Sequence, residues 1–148
     1  MATRFGHTCI VAQDPTALAD FYIRILGCEQ SGPLRDLSGP ALEKGMGLAG
    51  AHVRGIHLRL PGHGDRGPVL EIFRLDEVGP GATGLDAQGL MHLAFEVDDI
   101  DATLGSILAA GGSACGQVAT VTVTGVGAAR FVYTRDPECN VVELQCWT

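Results

Sequence analysis

Along the first thirty positions the apolar residues change period once. Phe5 to Ala12 reads as a strand, with apolar Cys9-Ile10-Val11-Ala12 at its end, until Gln13-Asp14-Pro15 closes it. Leu18, Phe21, Tyr22 and Ile25 then fall at helical spacing. Asp14 suits the N-cap of that helix and Pro15 its first position, where a missing N–H costs nothing, and Gly27 suits its end. The same order returns later. Leu90 to Val97 reads as a strand, Asp98 or Asp99 as a cap, and Gly111-Gly112 as the stop. Between them Ile100, Leu104, Ile107 and Leu108 form an apolar helical face. Three shorter strands are expected after each helix, near 28–32, 52–60 and 68–75, then near 113–121, 128–134 and 140–146. Asp76 to Gly89, rich in glycine, reads as the link between two modules, about 5–75 and about 90–146 of a single 1–148 domain.

Two short segments of the modules repeat each other. His7, Asp14, Ala17 and Gly27 recur as His92, Asp99, Ala102 and Gly112, each 85 positions on. Val69-Leu70-Glu71-Ile72 recurs as Val141-Val142-Glu143-Leu144. Each copy therefore carries a histidine in its first strand and a glutamate in its last. A carboxylate inside an apolar strand is costly to bury unless a cation, a proton or several donors compensate it. Alternation puts Val69, Glu71 and Phe73 on one face and Leu70 and Ile72 on the other. A pseudo-twofold duplication would bring two histidines and two glutamates together, a nitrogen and oxygen donor set suited to a borderline divalent ion. The first copy is the longer by 13 residues between histidine and glutamate (7 to 71 against 92 to 143). The excess is placed in Ser31 to Ala51, with a short helix starting at Ser38, and a loop of that length points to a lid or binding role.

Composition narrows the classes. At 148 residues and 46% hydrophobic the chain can bury a core without staples. A net charge of −7 argues against a nucleic-acid surface. No apolar run is long enough for a membrane span, and Met1-Ala2-Thr3-Arg4 leads into a strand without a signal peptide. Five scattered cysteines with no Cys-x-x-Cys pair suggest a reduced, cytoplasmic protein. In Ile56-His57-Leu58-Arg59-Leu60 the aliphatic residues share one face and His57 and Arg59 the other. If helices cover the aliphatic face, His57 and Arg59 lie on the face of Glu71 and can orient a substrate carboxylate or phosphate. Open sheet edges suggest a homodimer.

His7-Thr8, Phe21-Tyr22 with Leu26-Gly27, His92 before Val97-Asp98-Asp99, and Asp136-Pro137-Glu138-Cys139-Asn140 before Glu143-Leu144 together resemble the vicinal oxygen chelate superfamily. That group includes glyoxalase I, methylmalonyl-CoA epimerase, extradiol dioxygenases and the fosfomycin and bleomycin resistance proteins. The resemblance implies an α+β fold of two βαβββ modules whose mixed sheets form a cup around a metal site. It implies His7, Glu71, His92 and Glu143 as metal ligands, with Zn, Ni, Co, Mn or Fe as the ion. The quartet is similar to the glyoxalase and epimerase side, which implies a metal-dependent lyase or isomerase. Such an enzyme moves a proton next to a carbonyl of a small substrate through a metal-stabilised enolate, with Glu143 or Glu71 as the catalytic base. An iron-dependent extradiol-type dioxygenase, or a non-catalytic small-molecule-binding resistance protein, is the alternative; dioxygenases of this group use two His and one Glu. No arginine follows His7 as in bacterial glyoxalase I, so glutathione is not implied. Cys139 stands where the family usually has glycine; if that turn needs positive φ, cysteine strains it by about 1 kcal/mol.

Overall fold

The computed structural model describes residues 3–81 and 84–148. By internal contacts the chain divides into two compact units, Met1–Pro80 and Gly81–Thr148. The link expected over 76–89 spans that boundary, and its Ala82 and Thr83 lie outside the described residues.

The first unit runs β1 (His7–Val11), α1 (Pro15–Leu26), β2 (Glu29–Gln30), β3 (Arg35–Ser38), α2 (Pro40–Met46), β4 (His52–Arg59) and β5 (Val69–Leu75). Its mixed sheet has the order β1-β5-β4-β2, with β3 also on β4 and only β1 parallel to its neighbour. The helix begins where the sequence says it should. Asp14 accepts from the backbone N–H groups of Thr16 at 3.1 Å and Ala17 at 3.0 Å, two of the donors that a helix start leaves unsatisfied. Gly27 ends it in the left-handed region at φ 69°. The α1 side chains Leu18, Phe21, Tyr22 and Leu26 are buried, as are Ile56, Leu58, Leu70 and Ile72 on the sheet face opposite Glu71. Each such side chain contributes roughly 1.5–3 kcal/mol by leaving water.

The second unit repeats the plan: β6 (Leu93–Glu96), α3 (Ile100–Ala109), β7 (Ser113–Ala114), β8 (Ala119–Val123), β9 (Gly127–Arg135) and β10 (Val141–Trp147). The order is β6-β10-β9-β7, with β8 also on β9. Of the two aspartates that could cap α3, Asp99 does so, accepting from Ala102 N–H at 2.9 Å. Ile100 and Ile107 of α3 are buried, as are Val132, Val142 and Leu144 of the sheet.

The expected architecture, α+β with two mixed sheets, is the one observed, but each sheet has five strands where four were expected. The stretch 113–121 is two strands, because residues 115–118 bulge out opposite only two residues of β9. Residues 31–34 do the same against β4, which creates β3. Most of the extra length of the first copy lies between β3 and β4 (residues 39–51 against 124–126), in the segment that contains α2, which starts at Pro40 and not at Ser38; four further residues lie between β4 and β5 (60–68 against 136–140). His92 lies just before β6 and not inside it.

Candidate functional site

In the first unit the register puts His57 of β4 directly across from Glu71 of β5, and Cys9 of β1 on its other side. Leu70 and Ile72 fill the core, so Glu71 projects to the opposite face. His7 Nδ1 lies 3.4 Å and His57 Nε2 3.2 Å from Glu71 Oε1. The Glu71 side chain is 12% exposed, so this carboxylate is largely withdrawn from water and depends on these neighbours.

Arg35, from β3, completes the row: its Nη2 stands 3.3 Å from His57 Nδ1. A guanidinium can only donate, so Nδ1 must be the acceptor and the proton of the neutral ring sits on Nε2. That places an N–H beside Glu71 Oε1. It lies off the line a hydrogen bond needs, and Nε2 is buried without a hydrogen-bond partner. The His57 pKa is lowered from its ordinary value, first by burial, then by Arg35 and His7, with Glu71 opposing. Burial, and secondarily Glu71, push the Cys9 thiol up to about 11.

Arg59 shares the His57 face but is held elsewhere. It is opposite Val69 in register, and its guanidinium is paired with Glu29 and, at 3.0 Å, with Asp65. Two carboxylates already meet this cation; the arginine brought to His57 is Arg35, a residue the sequence did not single out.

The second unit has the corresponding parts. His92 Nε2 is 3.1 Å from Glu143 Oε2, and the Glu143 side chain is 16% exposed. Tyr133 of β9 lies directly opposite Glu143, the position His57 takes opposite Glu71. Val132 is buried, so Tyr133 and Phe131 share the face of Glu143, a choice that alternation alone left open. The His92 and Tyr133 rings meet edge to face at 5.2 Å, and Phe131 and Tyr133 at 6.0 Å. Burial and then Glu143 raise the Tyr133 pKa, keeping the phenol protonated at neutral pH. His92 Nδ1 is buried without a hydrogen-bond partner.

These donors fit a divalent ion in kind. Two ligands at about 2.1 Å from one ion stand roughly 3.0–3.4 Å apart, and the His7–Glu71 and His92–Glu143 separations lie in that range. Among the described residues, no group of three or more His, Cys, Asp or Glu side chains is arranged to hold an ion.

No curated protein matches the chain. Among solved structures it is similar to a glyoxalase family protein from Bacillus cereus, with 20% identity over 99% of this chain and 95% of that one and a TM-score of 0.84. A glyoxalase family protein from Enterococcus faecalis matches at 25% identity, 96% of both chains and a TM-score of 0.63. A glyoxylase/bleomycin resistance protein/dioxygenase domain from Frankia sp. EAN1pec matches at 18%, 100% of both and 0.63. The family model matches residues 4–144, nearly the whole chain, and the protein therefore belongs to the Glyoxalase/Bleomycin resistance protein/Dioxygenase superfamily.

Proposed function

We propose that the protein is a divalent-metal-dependent lyase or isomerase of the glyoxalase and epimerase type, acting next to a carbonyl of a small substrate. The observation that carries this reading is the matched pair, one histidine against one withdrawn glutamate in each unit. His7, Glu71, His92 and Glu143 are proposed as ligands. The ion, when bound, supplies Lewis-acid stabilisation of negative charge on substrate oxygens.

The protein residues do the rest. Glu71 or Glu143 takes the proton from the carbon beside the carbonyl, since both are carboxylates in a partly dry setting. His57 holds an N–H against Glu71, and Tyr133 keeps a phenolic proton opposite Glu143. Contact with an anionic substrate group, expected of His57 and Arg59, falls on this reading to His57 and Arg35, because Glu29 and Asp65 neutralise Arg59.

Metal analysis of the purified protein tests the ligand set. About one ion per chain is expected, with affinity lost at least about 10-fold in His92→Ala and in Glu143→Gln. The reaction type is read by exchange of substrate protons for deuterium across a panel of 2-oxoaldehydes, 2-oxoacids and acyl thioesters. Oxygen-dependent turnover in place of exchange would mark a dioxygenase; ligand binding with neither metal nor turnover would mark a binding protein.

A further inference from the structure

The face of the first sheet that α1 covers carries a feature that the proposed chemistry does not use. Along β4 and β5 the pairs on this face are Leu58 with Leu70, Ile56 with Ile72, and then Arg54 with Arg74. The first two pairs are buried. The third sets two guanidiniums directly opposite each other where alternation calls for apolar residues, and like charges so placed repel. Since α1 starts at Pro15, it leaves this end of the face open. A cavity of about 350 Å³ results, bordered by Pro15, Leu34, Ile56 and three arginines, Arg35, Arg54 and Arg74.

The charges around it do not balance. Arg54 is paired with Asp76 at 2.5 Å. Arg74 meets the Gln13 carbonyl, and Arg35 meets the Pro33 carbonyl and the His57 ring, all neutral acceptors. Asp36, also in the wall, is engaged by His52 Nε2 at 2.6 Å. Against Arg35, Arg54 and Arg74 stand the carboxylates of Asp36 and Asp76, so positive charge is in excess by one at an apolar-walled cavity, in a chain whose net charge is −7. Guanidiniums suit planar bidentate contact with carboxylate or phosphate oxygens, and the volume falls in the range of small-ligand sites, roughly 300–1,000 Å³.

We propose that this cavity is a binding site for a small organic anion, with a phosphate or carboxylate head on Arg54 and Arg74 and a short apolar body against Leu34 and Ile56. Arg54, Arg74 and Ile56 lie on the opposite face of the sheet from Glu71, and Arg35 borders both the cavity and the His57 ring; the proposal does not rest on the catalytic reading. Calorimetric titration of the full chain with phenyl phosphate, hexanoate and inorganic phosphate tests it. Saturable binding is expected for at least one of the organic anions, tighter for phenyl phosphate than for inorganic phosphate, and weakened at least about 5-fold both by the double variant Arg54→Gln/Arg74→Gln and by Leu34→Asp. Leu34 is 65% exposed, so the latter places a carboxylate at the cavity without disturbing the core. The proposal is overturned if neither organic anion saturates below roughly 10 mM, if either variant leaves binding within that 5-fold margin, or if inorganic phosphate binds as tightly as phenyl phosphate.

Discussion

Replacing Arg35 by methionine should release the His57 ring without touching Glu71. The native contact is one charge-assisted hydrogen bond at 3.3 Å to a half-buried nitrogen. That length and partial exposure put its worth below the range for charged partners, at about 1 kcal/mol. For a chain of this size such a loss lowers Tm by roughly 2–4 °C. Methionine keeps much of the apolar stem, so lost packing adds little.

The distinctive effect is on the proton. With the guanidinium gone, nothing obliges Nδ1 to accept, and the N–H facing Glu71 is no longer fixed. Long-range proton–nitrogen spectra distinguish the two tautomers of a neutral imidazole. They should show the Nε2–H form of His57 in the native chain and a mixture in Arg35→Met. The pH dependence moves as well. His57 has a folded pKa below its ordinary 6.5, so between those two values the unfolded chain binds more protons and stability rises with pH. That contribution is complete above about 6.5 and is lost on acidification towards the depressed folded value. Burial is the larger cause and Arg35 the smaller, so the variant should narrow the window without closing it. A native His57 carrying its proton on Nδ1, or a variant spectrum identical to the native one, would show that Arg35 does not set the tautomer.

Cys139 has φ of 70°, the single positive value at a non-glycine among the described residues; Cys139→Gly should gain about 0.5–1 kcal/mol in urea denaturation, relief of strain outweighing the extra freedom of the unfolded chain. Asp14→Ala and Asp99→Ala should each cost about 1 kcal/mol in the same assay, since both side chains cap helices. Because Glu71 helps raise the Cys9 pKa, Glu71→Gln should speed Cys9 alkylation at pH 8, measured by mass spectrometry; an unchanged rate would show that the carboxylate does not act on the thiol. Light scattering is expected to give a homodimer at micromolar concentration, in keeping with the solvent-facing strand β8 and the exposed Val121, Val123 and Val126.

What the sequence revealed was whatever depends on near neighbours along the chain. Asp14-Pro15 and Gly27 mark a helix because caps are local, and alternation around Glu71 and Glu143 sets their faces because the strand period is two. What it concealed depends on which strands pair. Arg35-Asp36-Leu37-Ser38 has no strand pattern of its own; it becomes β3 by lying against β4 after a four-residue bulge. The matching bulge after Ala114 divides one expected strand into β7 and β8.

The same nonlocality explains why Arg59 was the more visible candidate and Arg35 the one brought to His57. Two residues along a strand from His57, Arg59 shares its face by periodicity but stands about 7 Å further along it, within reach of Glu29 and Asp65. Arg35 is 22 positions away in sequence and reaches the ring only through the pairing of β3 with β4. Periodicity identifies the face a residue occupies; register decides which partners it meets there. In each unit the residue that register sets opposite the glutamate, His57 or Tyr133, is a ring able to carry a proton on the face of that carboxylate. A duplicated backbone has thus kept the position while the ring chemistry diverged, which gives the two glutamates different neighbours and a physical basis for different roles.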